Sequence, residues 1–104
     1  MAQAYAPSSS QGPPPEALRS RVEAALGERW LRWTRPDTGL SAAHRFVVAL
    51  DGGGGVFVKA ATTPETAQQL RNERLALRNA PTALVPHVRA WIDDGDDFPI
   101  LVTS

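Results

Sequence analysis

The chain has 104 residues, and its eleven cationic and eleven acidic side chains balance to zero net charge; this argues against nucleic-acid or anionic-lipid surfaces, which need a clustered positive excess. It contains no cysteine, so neither a disulfide framework nor a thiolate metal site is available. No apolar run approaches the roughly 18 residues of a membrane span and the N-terminus lacks a secretory-signal pattern, so a cytoplasmic protein of one small domain is expected.

Residues 1–14 are rich in Ala, Ser, Gln and Pro. Such a segment cannot bury enough apolar surface to offset its ordering entropy, and a disordered tail is expected there. Residues 15–104 are expected to form the folded unit. Residues 15–26 read as a helix: Pro15 suits a first turn, Leu18, Val22, Ala25 and Leu26 recur at helical spacing, and Gly27 supplies a left-handed stop. Residues 28–35 read as a strand in which Leu31 and Trp33 share one face and Trp30 and Arg32 the other. Pro36-Asp37-Thr38-Gly39 is a turn by composition. Residues 43–50 and the run from Val56 to Ala61 read as two strands joined through Asp51 and four glycines into a hairpin.

Thr63-Pro64-Glu65 opens a second helix, with a hydroxyl cap, a first-turn proline and a carboxylate near the positive end. It runs to about Asn79, and Pro81 stops it. Ala67, Leu70 and Leu77 form its apolar stripe, and Glu73 falls on that stripe. After a connector at Leu84-Val85-Pro86, residues 87–92 and 98–103 read as strands around the acidic turn Asp93-Asp94-Gly95-Asp96-Asp97. The fold class that follows is α+β: a five-stranded, mainly antiparallel sheet with one packed helix and a short N-terminal helix.

Lys59 is the only lysine in the chain; the other cations are arginines. It shares a strand face with Phe57 and Ala61, while Val56, Val58 and Ala60 take the other. An ammonium in an apolar strand and a carboxylate on an apolar helix stripe each need a partner or an exit to water. Pairing of Lys59 with Glu73 satisfies both, and a lysine so held can bind phosphate oxygens as a point charge. The alternative is a Lys59 that snorkels to solvent beside a Glu73 at the edge of its stripe. The turn Thr38-Gly39-Leu40-Ser41 offers backbone N–H groups and a hydroxyl that could cover phosphates, or is a plain hairpin turn. The four glycines 52–55 are not a phosphate loop, because they lead into a strand rather than a helix N-terminus. The aspartates at 93–97 lack the later bidentate glutamate of a calcium loop and read as a solvated turn. His44 and His87 have no second ligand or nucleophile at a recognisable spacing and read as structural, and the three tryptophans read as core or groove wall.

The ordered set of these parts resembles the N-terminal lobe of a kinase-like fold, and more narrowly the aminoglycoside phosphotransferase family. The resemblance runs over residues 28–104. It rests on the Thr38-Gly39-Leu40-Ser41 loop entering a strand, on Val56-Phe57-Val58-Lys59, and on the helix that carries Glu73. It also includes Leu84-Val85-Pro86 leading into Val88-Arg89-Ala90-Trp91, and Phe98-Pro99-Ile100-Leu101-Val102-Thr103. It implies an ATP site in which Lys59 contacts the α- and β-phosphates and Glu73 holds Lys59. Gly39 and Ser41 would lie over the phosphates, and Val102, Thr103 and Ser104 would approach the adenine edge. Phe57 is bulkier than the small residue many protein kinases carry two before the lysine, which would narrow an adenine slot.

The family's catalytic aspartate, its neighbouring asparagine and its magnesium-binding aspartate belong to a C-terminal lobe, and the chain stops at Ser104 directly after an apolar strand. The expectation is therefore a truncated nucleotide-binding lobe, inactive alone, with no catalytic residue and no metal ligand of its own; magnesium would come only with the second lobe. The expected partners are a nucleotide and, through the open face, a C-terminal kinase lobe or a second copy, with neither nucleic acid nor membrane. The competing reading is a free-standing, non-catalytic binding module whose Lys59–Glu73 pair is structural; a third, a nucleic-acid binder using tryptophans and arginines, has the charge balance against it.

Overall fold

The computed structural model describes residues 13–36, 43–81, 83, 85–95 and 98–104. Gly39 and Ser41, most of the proline- and serine-rich N-terminal segment, and Leu84, Asp96 and Asp97 lie outside the described residues. Among the described residues the order is α1 (Glu16–Leu26), β1 (Trp30–Thr34), β2 (His44–Leu50), β3 (Gly55–Ala60), α2 (Pro64–Asn79), β4 (Val88–Ile92) and β5 (Ile100–Thr103). The strands form one sheet in the order β1-β2-β3-β5-β4, every neighbouring pair antiparallel. The fold is α+β, as the sequence predicts. No helix among the described residues is long and apolar enough to cross a membrane.

The two helices cover opposite faces of the sheet. On one side Leu18 and Val22 of α1 pack with Trp30, Phe46, Val48, Val56, Val58, Ile100 and Val102, the larger of two apolar clusters. On the other, Ala67 and Leu70 of α2 pack on Ala61 and Leu101, with Leu77 and Trp91 at the margin. The alternation in β3 follows directly: Val56, Val58 and Ala60 are buried under α1, and Lys59 turns toward α2. The apolar stripe of α1 is narrower than its sequence spacing suggests, because Ala25 faces solvent. Pro15 is the residue before the helix rather than its first turn. Gly27 ends α1 at φ 71°, and its N–H donates to the Glu23 carbonyl at 2.9 Å, the left-handed stop that a side chain would disfavour.

In β1 the structure corrects the expected alternation. Trp30 lies opposite Leu50, Arg32 opposite Ala49 and Trp33 opposite Val48, so β1 advances two residues where β2 advances one. This bulge turns Leu31 outward, 59 % exposed, and brings Trp30 and Trp33 to the same side. Their rings lie 6.1 and 5.8 Å from that of Phe46. An exposed leucine is the smaller loss when two indoles, each able to bury about 150–250 Å², gain a common core. A second irregularity lies between Val88 and Ala90 in β4.

Side chains of α1 fasten the start of β1. The Trp30 N–H donates to Glu23 Oε2 at 2.7 Å, Arg19 Nε donates to the same oxygen at 3.3 Å, and Arg19 Nη2 donates to the Trp30 carbonyl at 3.2 Å. The Trp30 amide, followed by Arg19, holds the Glu23 carboxyl below its ordinary value of 4.5. A carboxyl with a lowered folded value adds stability that is complete above the unfolded value and drains as the pH falls through the folded one. Glu23→Gln should therefore destabilise the chain at pH 7 by roughly 1 kcal/mol. In thermal melts across pH, the gap from the parent should close in acid once Glu23 itself is protonated; a gap independent of pH would contradict this.

The acidic turn between β4 and β5 is more than a solvated loop. Arg71 of α2 donates to Asp93 at 3.0 Å; Arg21 of α1 donates to Asp94 and to the Phe98 carbonyl, both at 3.3 Å. The arginine holds the Asp93 carboxyl below its usual range. The start of α2 is also more elaborate than a lone Thr63 cap. The Thr66 N–H donates to Thr63 Oγ at 3.1 Å, and Thr66 Oγ accepts from the amides of Thr62 and Thr63, each at 2.9 Å. The two threonines thus satisfy three backbone donors at the entry to the helix, those of Thr62, Thr63 and Thr66.

Candidate functional site

β2, β3 and β5 are neighbours in the sheet, and their register aligns the polar side chains of the α2 face. Arg45 pairs with Lys59, Lys59 with Leu101, and Phe57 with Thr103. Alternation places Arg45, Phe57, Lys59 and Thr103 on the side toward α2, opposite to Phe46, Val58 and Val102. Helix α2 lies along this side because Ala67 and Leu70 pack on Ala61 and Leu101, and the same helical row then carries Glu73 over β3.

Lys59 Nζ donates to Glu73 Oε2 at 2.6 Å, so the two residues singled out from the pattern do meet. Both side chains are about one-third exposed, at 27 and 37 %. The ammonium is therefore held without being sealed from solvent. A lysine with one hydrogen to a fixed carboxylate keeps two donors for another oxygen.

The pair borders a cleft of about 320 Å³, lined also by Pro36, Arg45, Phe57, Leu77, Pro86 and Thr103. That volume lies at the small end of the roughly 300–1,000 Å³ typical of ligand pockets. Phe57 and Leu77 give an apolar wall, Thr103 a hydroxyl, and two cations face one carboxylate. Two larger hollows, of about 470 and 480 Å³, lie where α1 meets the β2–β3 turn. They are bordered by Glu23, Arg29 and Asp51, and Glu23 is already engaged by the Trp30 amide. Among the described residues no group of three His, Asp or Glu side chains comes together as a metal site would require.

The other expected site residues are distributed as follows. Thr103 reaches the cleft. Val102 points the opposite way, into the α1-side core, and is paired with Val58 and Ala90 on its two flanks. Ser104 is exposed and extends the end of the β4–β5 ladder: its N–H donates to the His87 carbonyl at 2.9 Å, and its Oγ accepts from the His87 N–H at 3.0 Å. Gly39 and Ser41 belong to the undescribed segment. The glycine-rich run is a hairpin tip, in which Gly53 and Gly54 take φ of 88° and 105° and the Leu50 N–H donates to the Gly54 carbonyl at 3.0 Å. His44 stacks on Phe46 at 6.0 Å, and burial, then nearby Arg35, holds its imidazole below the ordinary value. Trp91 carries the Arg74 guanidinium 5.4 Å over its ring at the margin of α2.

Arg45 was not singled out by pattern. The signal was there: strand alternation in β2 separates it from Phe46 and Val48, and pairing of two adjacent strands puts it beside Lys59. Compared with known proteins, the chain matches no protein-family model, no curated protein and no solved structure.

Proposed function

We propose that the Lys59–Glu73 cleft binds ATP, and that the chain is the nucleotide-binding lobe of a cytoplasmic, aminoglycoside-phosphotransferase-like small-molecule kinase. The observation that carries this reading is the 2.6 Å ion pair at the border of a 320 Å³ cleft. The residues suit the group. A nucleotide needs an apolar wall for its base, and Phe57 and Leu77 provide one; it needs cations for its phosphates, and Lys59 and Arg45 line the same space. Bound ATP would supply the phosphoryl group. The chain's own residues would hold it: Glu73 keeps the Lys59 ammonium in position, and Lys59 neutralises phosphate oxygens. On this reading these residues bind and orient the nucleotide, while transfer to an acceptor hydroxyl needs a base and magnesium ligands from a second lobe.

The test is thermal unfolding with and without magnesium-ATP, on the parent chain and on Lys59→Ala. With ligand at tenfold over its Kd, linkage gives about 1.4 kcal/mol of stabilisation, or a rise of roughly 6–11 °C for a domain of this size. Lys59→Ala should lower the unliganded melting temperature by no more than about 4–8 °C, since a part-exposed pair contributes about 1 kcal/mol or less, and should abolish the ligand-induced rise. No rise in the parent at millimolar nucleotide would favour the non-catalytic module with a structural ion pair.

A further inference from the structure

We infer that Arg45 is a second phosphate anchor, which makes the cleft selective for the polyphosphate chain of a nucleotide over a nucleoside. This deepens the nucleotide reading and rests on it, but its anion-binding content can be tested separately. Arg45 stands directly across from Lys59 in the β2–β3 ladder, where side chains of opposite residues come within about 5 Å at Cβ. Both line the one cleft, and among the described residues Glu73 is the only carboxylate in its lining. Glu73 is committed to Lys59 at 2.6 Å. Among the described residues Arg45 makes no ion pair, and its Nε is shut off from solvent with no acceptor.

Two like charges placed opposite one another oppose folding, and so does a sequestered N–H without a partner. The chain carries both penalties at one point, in the wall of a cleft. A phosphate oxygen between Arg45 and Lys59 offsets the like charges directly, and a turn of the guanidinium into the cleft lets the Nε–H reach it as well. A planar guanidinium can also engage two oxygens of a phosphate, which an ammonium does less well. A nucleoside offers no such oxygens, whereas a di- or triphosphate offers several on adjacent phosphorus atoms.

The experiment is a set of ligand-observed NMR and calorimetric titrations of the 104-residue chain with adenosine, ADP and inorganic tripolyphosphate. It compares the parent with Arg45→Gln, Arg45→Lys and Lys59→Ala. Arg45→Gln should weaken ADP and tripolyphosphate at least tenfold and leave adenosine within twofold, with Arg45→Lys recovering part of the loss. Its unliganded melting temperature should stay equal or rise, whereas a purely structural arginine would make it fall. ADP binding equally tight in parent and Arg45→Gln would overturn the anchor and leave the nucleotide reading standing. Arg45-dependent tripolyphosphate binding, with ADP no tighter, would support the anchor and remove the nucleotide reading. Failure of every anion to bind the parent would overturn both.

Discussion

Val22→Asp should leave the chain without a cooperative thermal transition. Val22 is fully buried on a helix of only 11 residues that has no side-chain N-cap. A helix this short is marginal in water, so packing must hold it. Its neighbours in the cluster are apolar, and a carboxylate among them would lose its hydration with little in return, at a cost of several kcal/mol. Loss of the valine's own burial adds roughly 1.5–3 kcal/mol, against a total stability of about 5–15 kcal/mol for a domain. Ala25→Asp is the control: that position is exposed on the same helix and should cost only about 1–1.5 kcal/mol, from lower helix propensity and an anion in the last turn. Circular dichroism melts of the two variants decide it. A Val22→Asp protein that melts like the parent would make α1 an appendage rather than the cover of one face.

Phe46→Ala should be nearly as damaging, by a different route. Phe46 is fully buried and its ring meets Trp30, Trp33 and His44 at 5.8–6.1 Å, with the Arg35 guanidinium 4.5 Å over it. Truncating a buried phenylalanine costs about 3–5 kcal/mol through lost transfer energy and the cavity left behind. At about 4–8 °C per kcal/mol for a domain of this size, the melting temperature should fall by roughly 12–40 °C. Near-ultraviolet dichroism should lose the signal of two indoles fixed against one ring. The His44 imidazole, held low by burial and Arg35, should move back toward its ordinary value as water enters. Phe46→Leu fills most of the space and should cost markedly less. A fall of under about 4 °C for the alanine variant would show that the ring is not the keystone of the larger cluster.

Most elements were legible because their determinants are local. Pro64 and Thr63 mark one end of α2, Pro81 follows the other, and its bounds match the pattern. Lys59 and Glu73 were legible because each breaks an apolar period and needs either an opposite charge or an exit to water. What escaped depends on the partner strand or on tertiary distance. The bulge at Leu31 is visible only once Leu50 and Val48 have chosen their partners. The Arg21–Asp94 pair joins residues 73 positions apart. Arg45 looks like any strand arginine until β3 lies beside it. Val102, Thr103 and Ser104 were grouped by the family resemblance, but strand alternation and the hydrogen bonds of Ser104 to His87 send their side chains in different directions.

The two bulges sit in β1 and β4, which are the outermost strands of the sheet. Each has an exposed arginine at or beside the irregularity, Arg32 in β1 and Arg89 in β4. A strand from another chain can extend a sheet only along a straight, regularly spaced row of free amides and carbonyls. Here both borders are bent out of that spacing and carry charge, which blocks strand-to-strand growth at the two places where a five-stranded sheet is open to it. The rims of the sheet are therefore poor templates for an incoming strand, while the cleft opens on one of its faces.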